Sequence, residues 1–190
     1  MHRIDVPAGR RRRAALGALW VLLPPAITLA LYWYGRAHTP DYARGLFGQY
    51  GKDAQRLKAQ LGTALLGLAL IQLLLALWMY GRLPATGPAP RPVRTTHRIG
   101  GLVTFLVSLP IAQHCITAYG VQLTDTRVAL HSVTGCFLYG AFAAKVIVVR
   151  HRRLPGWALP VAGGVLVCAI ALLWYTAALW FLNGYQAPGL

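Results

Sequence analysis

Residues 99 to 119 read IGGLVTFLVSLPIAQHCITAY, a run without one Asp, Glu, Lys or Arg. Apolar residues here do not alternate with polar ones, so the run does not read as a half-buried strand. Its length matches the roughly 20 residues that a helix needs to cross a hydrocarbon core of about 30 Å. In lipid every backbone N–H and C=O must be satisfied inside the segment, and the helix is the form that does so without closing a barrel. Working outward, four more runs have this character: Ala14 to Tyr34, Leu61 to Tyr80, Val128 to Val149 and Trp157 to Leu182. Together they take up most of the 190 residues, with hydrophobic residues at 56% and charged residues at only 12%. That charge content is about half the usual one and leaves too little polar chain for a separate soluble domain. The expected fold is all-α, a polytopic membrane protein built as a bundle of five transmembrane helices.

The formal charge of +15 would suit a nucleic-acid partner if it lay on one face. Instead the basic residues, Lys145 apart, sit between the apolar runs, which excludes that class and reads as membrane topology. Arg3, Arg10 to Arg13, Arg82, Arg91, Arg94, Arg98, Lys145, Arg150, Arg152 and Arg153 fall on one side, and Arg36, Arg44, Lys52, Arg56, Lys58 and Arg127 on the other. Thirteen against six places the N-terminus in the cytoplasm and the C-terminus outside, in a multi-pass protein of the cell (plasma) membrane. The layout is then a basic leader (1–13), one transmembrane domain (14–182) and a short outer tail (183–190). The first run reads as a retained anchor, because Tyr32, Trp33 and Tyr34 at its end make no small-residue cleavage site. Pro24 and Pro25 are expected to bend it. Gly35 to Gln60 reads as a long outer loop and Leu83 to Pro92, with four prolines, as a stiff linker. Cys115, Cys136 and Cys168 show no CxxC spacing and read as small buried hydrophobes.

Ionisable residues within apolar runs are costly and are the first functional suspects. His114, about five residues from the outer end of its run, and His131, about three residues into the next, are expected at nearly the same depth on consecutive antiparallel helices. Two imidazoles at one level can clamp a planar metallocofactor, which points to a b-type haem with His114 and His131 as metal ligands. Gly135, one turn from His131, and Gly100, 14 residues before His114 and near its helix face, would let a macrocycle approach the backbone. Copper held by His114 and Cys115 is a further reading of the same residues, and simple hydrogen bonding to polar neighbours is the bland one. His97 and His151 match in depth at the other end and would make a second haem site, although their spacing rotates them away from the faces of the first pair. Lys145 lies near the His131 face and suits a haem propionate or a quinone headgroup.

The string Thr96-His97-Arg98-Ile99-Gly100, the segment Pro110 to Cys115 and the segment His131 to Gly140, running on to Lys145 and Arg150, resemble a family of short actinobacterial membrane proteins known only as a domain of unknown function. The resemblance covers nearly all of the chain after the leader and implies the same membrane fold, with His97, His114, His131 and Lys145 in its pattern. More loosely, the His-Arg-x-x-Gly opening is similar to b-type cytochromes and ferric-reductase-like membrane domains, although their two-histidine spacing is absent.

The functional expectation is a membrane electron-transfer protein carrying one haem b, or two if His97 takes part. Electrons would pass between a lipid quinone, or a partner subunit, and an extracytoplasmic redox protein. No carboxylate lies within the runs, so hydrolytic constellations do not compete. The alternative is a non-catalytic assembly or scaffold subunit with structural histidines.

Overall fold

The computed structural model of the protein describes residues 8–84, 87–151 and 155–189, with side chains from Leu19 onward. Five helices run through it: α1 (Ala8–Ala37), α2 (Gly51–Met79), α3 (Arg91–Tyr119), α4 (Thr126–Arg150) and α5. The last begins in α geometry (Ala158–Leu173), passes through a π-helical stretch (Trp174–Leu179) and ends in one more turn (Trp180–Leu182). Four helices, α2 to α5, are long and apolar enough to cross a membrane, as a multi-pass membrane protein requires. The run Ala14 to Tyr34 lies within α1, which is not among those four on its described residues.

Helices outrun the apolar segments that announced them. The second starts at Gly51 and not at Leu61, so the expected loop Gly35 to Gln60 contracts to the stretch between α1 and Gly51. Similarly, α3 starts at Arg91 with Pro92 in its first turn, and this shortens the expected linker. Hydropathy marks only the part of a helix suited to lipid, whereas backbone hydrogen bonding continues into the polar interface wherever no breaker stops it. Of the expected leader, Ala8 to Arg13 already belongs to α1, and residues 1–7 lie outside the described residues. Proline at 24 and 25 does not end α1. Thr28 Oγ1 donates to the Pro24 carbonyl at 3.2 Å, and Gly140 of α4 lies so close that a Cβ there would stand 2.6 Å from that same oxygen.

Chain order and spatial order differ. Close backbone neighbours run α1, α4, α5, α2, α3, so α3 is held by α2 and α4 by α1 and α5. The centre is a cluster of Leu65 and Ala69 from α2, Leu138 from α4, and Leu166, Ala169 and Ile170 from α5. Small residues permit the tight α2–α5 seam, as where Gly62 faces the Cβ of Ala178 at a distance that would be ordinary contact even for alanine. Between α3 and α4, by contrast, aromatic side chains span a gap: Phe105 stacks on Phe142 at 4.4 Å, and Tyr139 donates to the hydroxyl and carbonyl oxygens of Ser108, each at 3.1 Å.

Candidate functional site

The gap between α3 and α4 opens, toward the end that carries His131, into a cavity of about 530 Å³ bounded by α2, α3, α4 and α5. Its wall is mainly apolar. At its loop end Lys58 sits over the Tyr119 ring at 4.1 Å and Arg127 over the Trp180 ring at 3.9 Å, so each cation is partly solvated by an aromatic face.

His131 and Gly135 belong to this wall, one turn apart on α4. Asp125, whose carboxylate accepts from the Val128 amide at 2.9 Å, caps α4 and sets the start of that turn. The imidazole is positioned by Thr176, a fully buried residue in the π-helical stretch of α5. Thr176 Oγ1 lies 3.0 Å from His131 Nδ1 and donates its own proton to the Leu172 carbonyl at 2.7 Å. With that hydroxyl hydrogen committed, the threonine oxygen can only accept, so His131 Nδ1 carries the hydrogen and donates. The ring also lies against the Leu173 backbone, and Nε2, with no side-chain partner among the described residues, is the nitrogen that keeps a lone pair on a ring bordering the cavity. The Thr176 carbonyl meanwhile accepts from Arg127 Nη1 at 2.9 Å. A single π-helical residue thus orients two side chains of α4 spaced one turn apart, in keeping with the tendency of π-bulges to gather at functional sites.

His114 is placed differently. It is buried, at 3% exposure, on the side of α3 turned toward the loop after α1, and its Nε2 donates to the Arg44 carbonyl at 3.0 Å. The same loop is tied to α3 twice more, by His38 Nε2 and by the Asp41 amide, both donating to the Thr117 carbonyl at 3.1 and 3.2 Å. His114 does not line the cavity, whereas its neighbour Cys115 does. The structure therefore does not bring His114 and His131 to one wall, since α3 and α4 are separated by the cavity and present different faces to it.

At the opposite end His97, Gly100 and Lys145 come together around a residue that sequence reading passed over, Gln72 of α2. Gly100 faces the Gln72 amide so closely that any Cβ would displace it, and the His97 ring lies against the Gln72 backbone and within electrostatic reach of Lys145. His151 turns to other partners: its Nδ1 donates to the Ile147 carbonyl at 3.0 Å, and its ring meets Trp20 of α1 edge-on. Among the described residues no group of three or more His, Cys, Asp or Glu could hold a metal ion together. Thr176 and Gln72 escaped the sequence reading, and Arg127 and Lys58 entered it only as basic residues of the outer side. Gln72 and Thr176, as polar residues within apolar runs, carried a signal that could have flagged them.

Residues 16–189 match a family described as "Family of unknown function (DUF6529)", and the chain belongs to that family. No curated protein matches the chain. No solved structure matches it either, and the looser likeness to b-type cytochromes finds no counterpart in these comparisons.

Proposed function

We propose that this member of the family is a membrane redox protein whose large cavity holds a b-type haem at His131, facing the outer side of the cell membrane. The single observation that carries the reading is the histidine on the cavity wall, its Nδ1–H spent on Thr176 and its Nε2 lone pair left for a ligand bond. Histidine ligands to metals are characteristically held in this way, by a second group that fixes tautomer and ring angle. The residues fit such a group in three further respects. The volume of about 530 Å³ is that of a cofactor site. Lys58 and Arg127 at the loop end provide two cations for two carboxylates. Gly135 leaves the wall beside His131 without a side chain. When bound, haem supplies one-electron exchange; the chain's own part is to ligate, orient and exclude water. A lipid quinone or an extracytoplasmic redox protein is the partner class this placement suits.

One optical spectrum of the purified protein, oxidised and then reduced with dithionite, tests the reading. Haem bands are expected, with His131→Ala lowering haem content at least tenfold and His151→Ala leaving it unchanged. Protein purified from haem-replete cells without any haem band would sink it.

A scaffold role is the second reading, and the His114–Arg44 hydrogen bond favours it for that histidine, because it ties a loop to a helix end and leaves no free ligand position on Nε2. Haem retained in full by His131→Ala would hand His131 to this reading as well.

A further inference from the structure

We propose that the bundle interior forms a proton route across the membrane, running from the Lys145–Gln72 end through the Ser108–Tyr139 hydroxyl pair into the large cavity. Polar groups inside membrane helices are expensive, and a continuous file of them is characteristic of proton relays. Here Lys145 and Tyr139 of α4, Thr104 and Ser108 of α3, and Gln72 of α2 all border one second cavity of about 60 Å³. A cavity needs roughly 10–15 Å³ of such space to hold one water, so this one has room for several.

Two polar atoms at this end lack a partner among the described residues. Gln72 Oε1, on the cavity wall, and His97 Nδ1, off that wall beside Gln72, are sealed from solvent without a hydrogen bond, and Lys145 borders the same cavity as Gln72. Buried polar atoms are almost always satisfied, by protein or by ordered water, so the orphaned Gln72 Oε1 on the wall of a small cavity shared with Lys145 marks a hydrated site.

The small cavity and the large one share the walls Leu65, Ser108, Leu138, Tyr139 and Ile170. Only Ser108 and Tyr139 in that set are polar. Tyr139 donates to Ser108 Oγ at 3.1 Å, and Ser108 donates onward to the Phe105 carbonyl at 2.7 Å. A hydroxyl both donates and accepts, so the pair can take a proton from water on one side and release one on the other by rotating. A proton entering beside Lys145 exchanges through water in the small cavity, crosses this pair and leaves through the large cavity at the loop end. Only O–H and N–H bonds are made and broken, and one positive charge moves per passage.

The inference does not rest on haem, and its test needs none. Full-length protein is reconstituted into liposomes enclosing a pH-sensitive dye, and a potassium diffusion potential is imposed with valinomycin. Proton influx at least tenfold faster than in protein-free liposomes is expected. Lys145→Met, Gln72→Leu and Tyr139→Phe should each cut that excess at least fivefold, and Cys168→Ala, a lipid-facing position, should leave it intact. Variants are compared only where elution volume and tryptophan emission match the parent. Lys145→Gln and Gln72→Met replace any that fail. Flux no greater than in protein-free liposomes overturns the route, as does full flux in both the position 145 and position 72 variants.

Discussion

Two histidines expected at one depth, His114 near the end of α3 and His131 near the start of α4, end in contrasting surroundings. His114 is enclosed, with Nε2 committed to a loop carbonyl, and so works as a tie between the α1–α2 loop and the end of α3. His131 is held from behind by a threonine of a third helix, and its other nitrogen keeps a lone pair on a ring that borders a cavity. What separates them is where the second nitrogen lies. Each ring donates one N–H, to a carbonyl or to a hydroxyl already donating elsewhere, but His114 Nδ1 is sealed within the protein whereas the His131 ring borders the cavity.

The largest expected effect of breaking this contrast lies at the tie. His114→Ala removes a buried ring and strands the Arg44 carbonyl, which should cost about 2–4 kcal/mol through cavity and lost hydrogen bond together. Thermal unfolding followed by tryptophan emission in detergent would measure it, and cleavage of the loop by protease should rise. Haem content per folded molecule should be unchanged, and a proportional loss would erase the distinction between the two histidines.

Next in size is Thr176→Val, which keeps the volume of a fully buried side chain and deletes the acceptor for His131. An orphaned N–H at that depth should cost about 1–3 kcal/mol. Loss of an orienting partner should lower haem affinity about 10- to 100-fold. Thr176→Ser should restore most of that affinity by retaining the hydroxyl. If valine and serine behave alike in a haem titration, the threonine does not orient the ring.

Gly140→Ala sharpens the comparison by acting far from both histidines. The new methyl would meet the Pro24 carbonyl and Thr28, forcing α1 away from α4 at a cost of about 1–3 kcal/mol. The melting temperature should fall with no change in the haem spectrum. Smallest is Tyr139→Phe, which loses the one hydroxyl hydrogen shared between the two Ser108 oxygens, between α3 and α4. Side-chain hydrogen bonds between membrane helices average about 0.6 kcal/mol, so stability should barely move while the proton flux falls.

Much of the fold was legible in the chain. Each apolar run corresponds to a helix, because a segment of about 20 apolar residues has few other ways to satisfy its backbone in lipid. Helix ends were less legible, since Lys52 to Gln60 and Arg91 to Arg98 are polar yet helical, and hydropathy says nothing about polar helix. The pairing of helices was legible only in part: α2 with α3 and α4 with α5 are consecutive in the chain, whereas α1 with α4 and α2 with α5 are not. Short connections suggest that α3 and α4 lie side by side, but the closest neighbours of α4 are α1 and α5, and aromatic side chains and a cavity fill the space where α3 and α4 would touch.

By itself, then, the sequence determined five helices, the position of each ionisable residue along its helix, and so the two levels at which chemistry can occur. Depth follows from rise per residue, a local quantity. The tertiary structure alone decided that His131 faces a cavity and His114 a loop, that Gln72 joins His97 and Lys145, and that a π-helical turn of α5 brings Thr176 behind His131. Those outcomes depend on which helices neighbour one another and on their rotation about their axes. Both are set by how small and aromatic residues on different segments fit together, and no stretch of one helix carries that information.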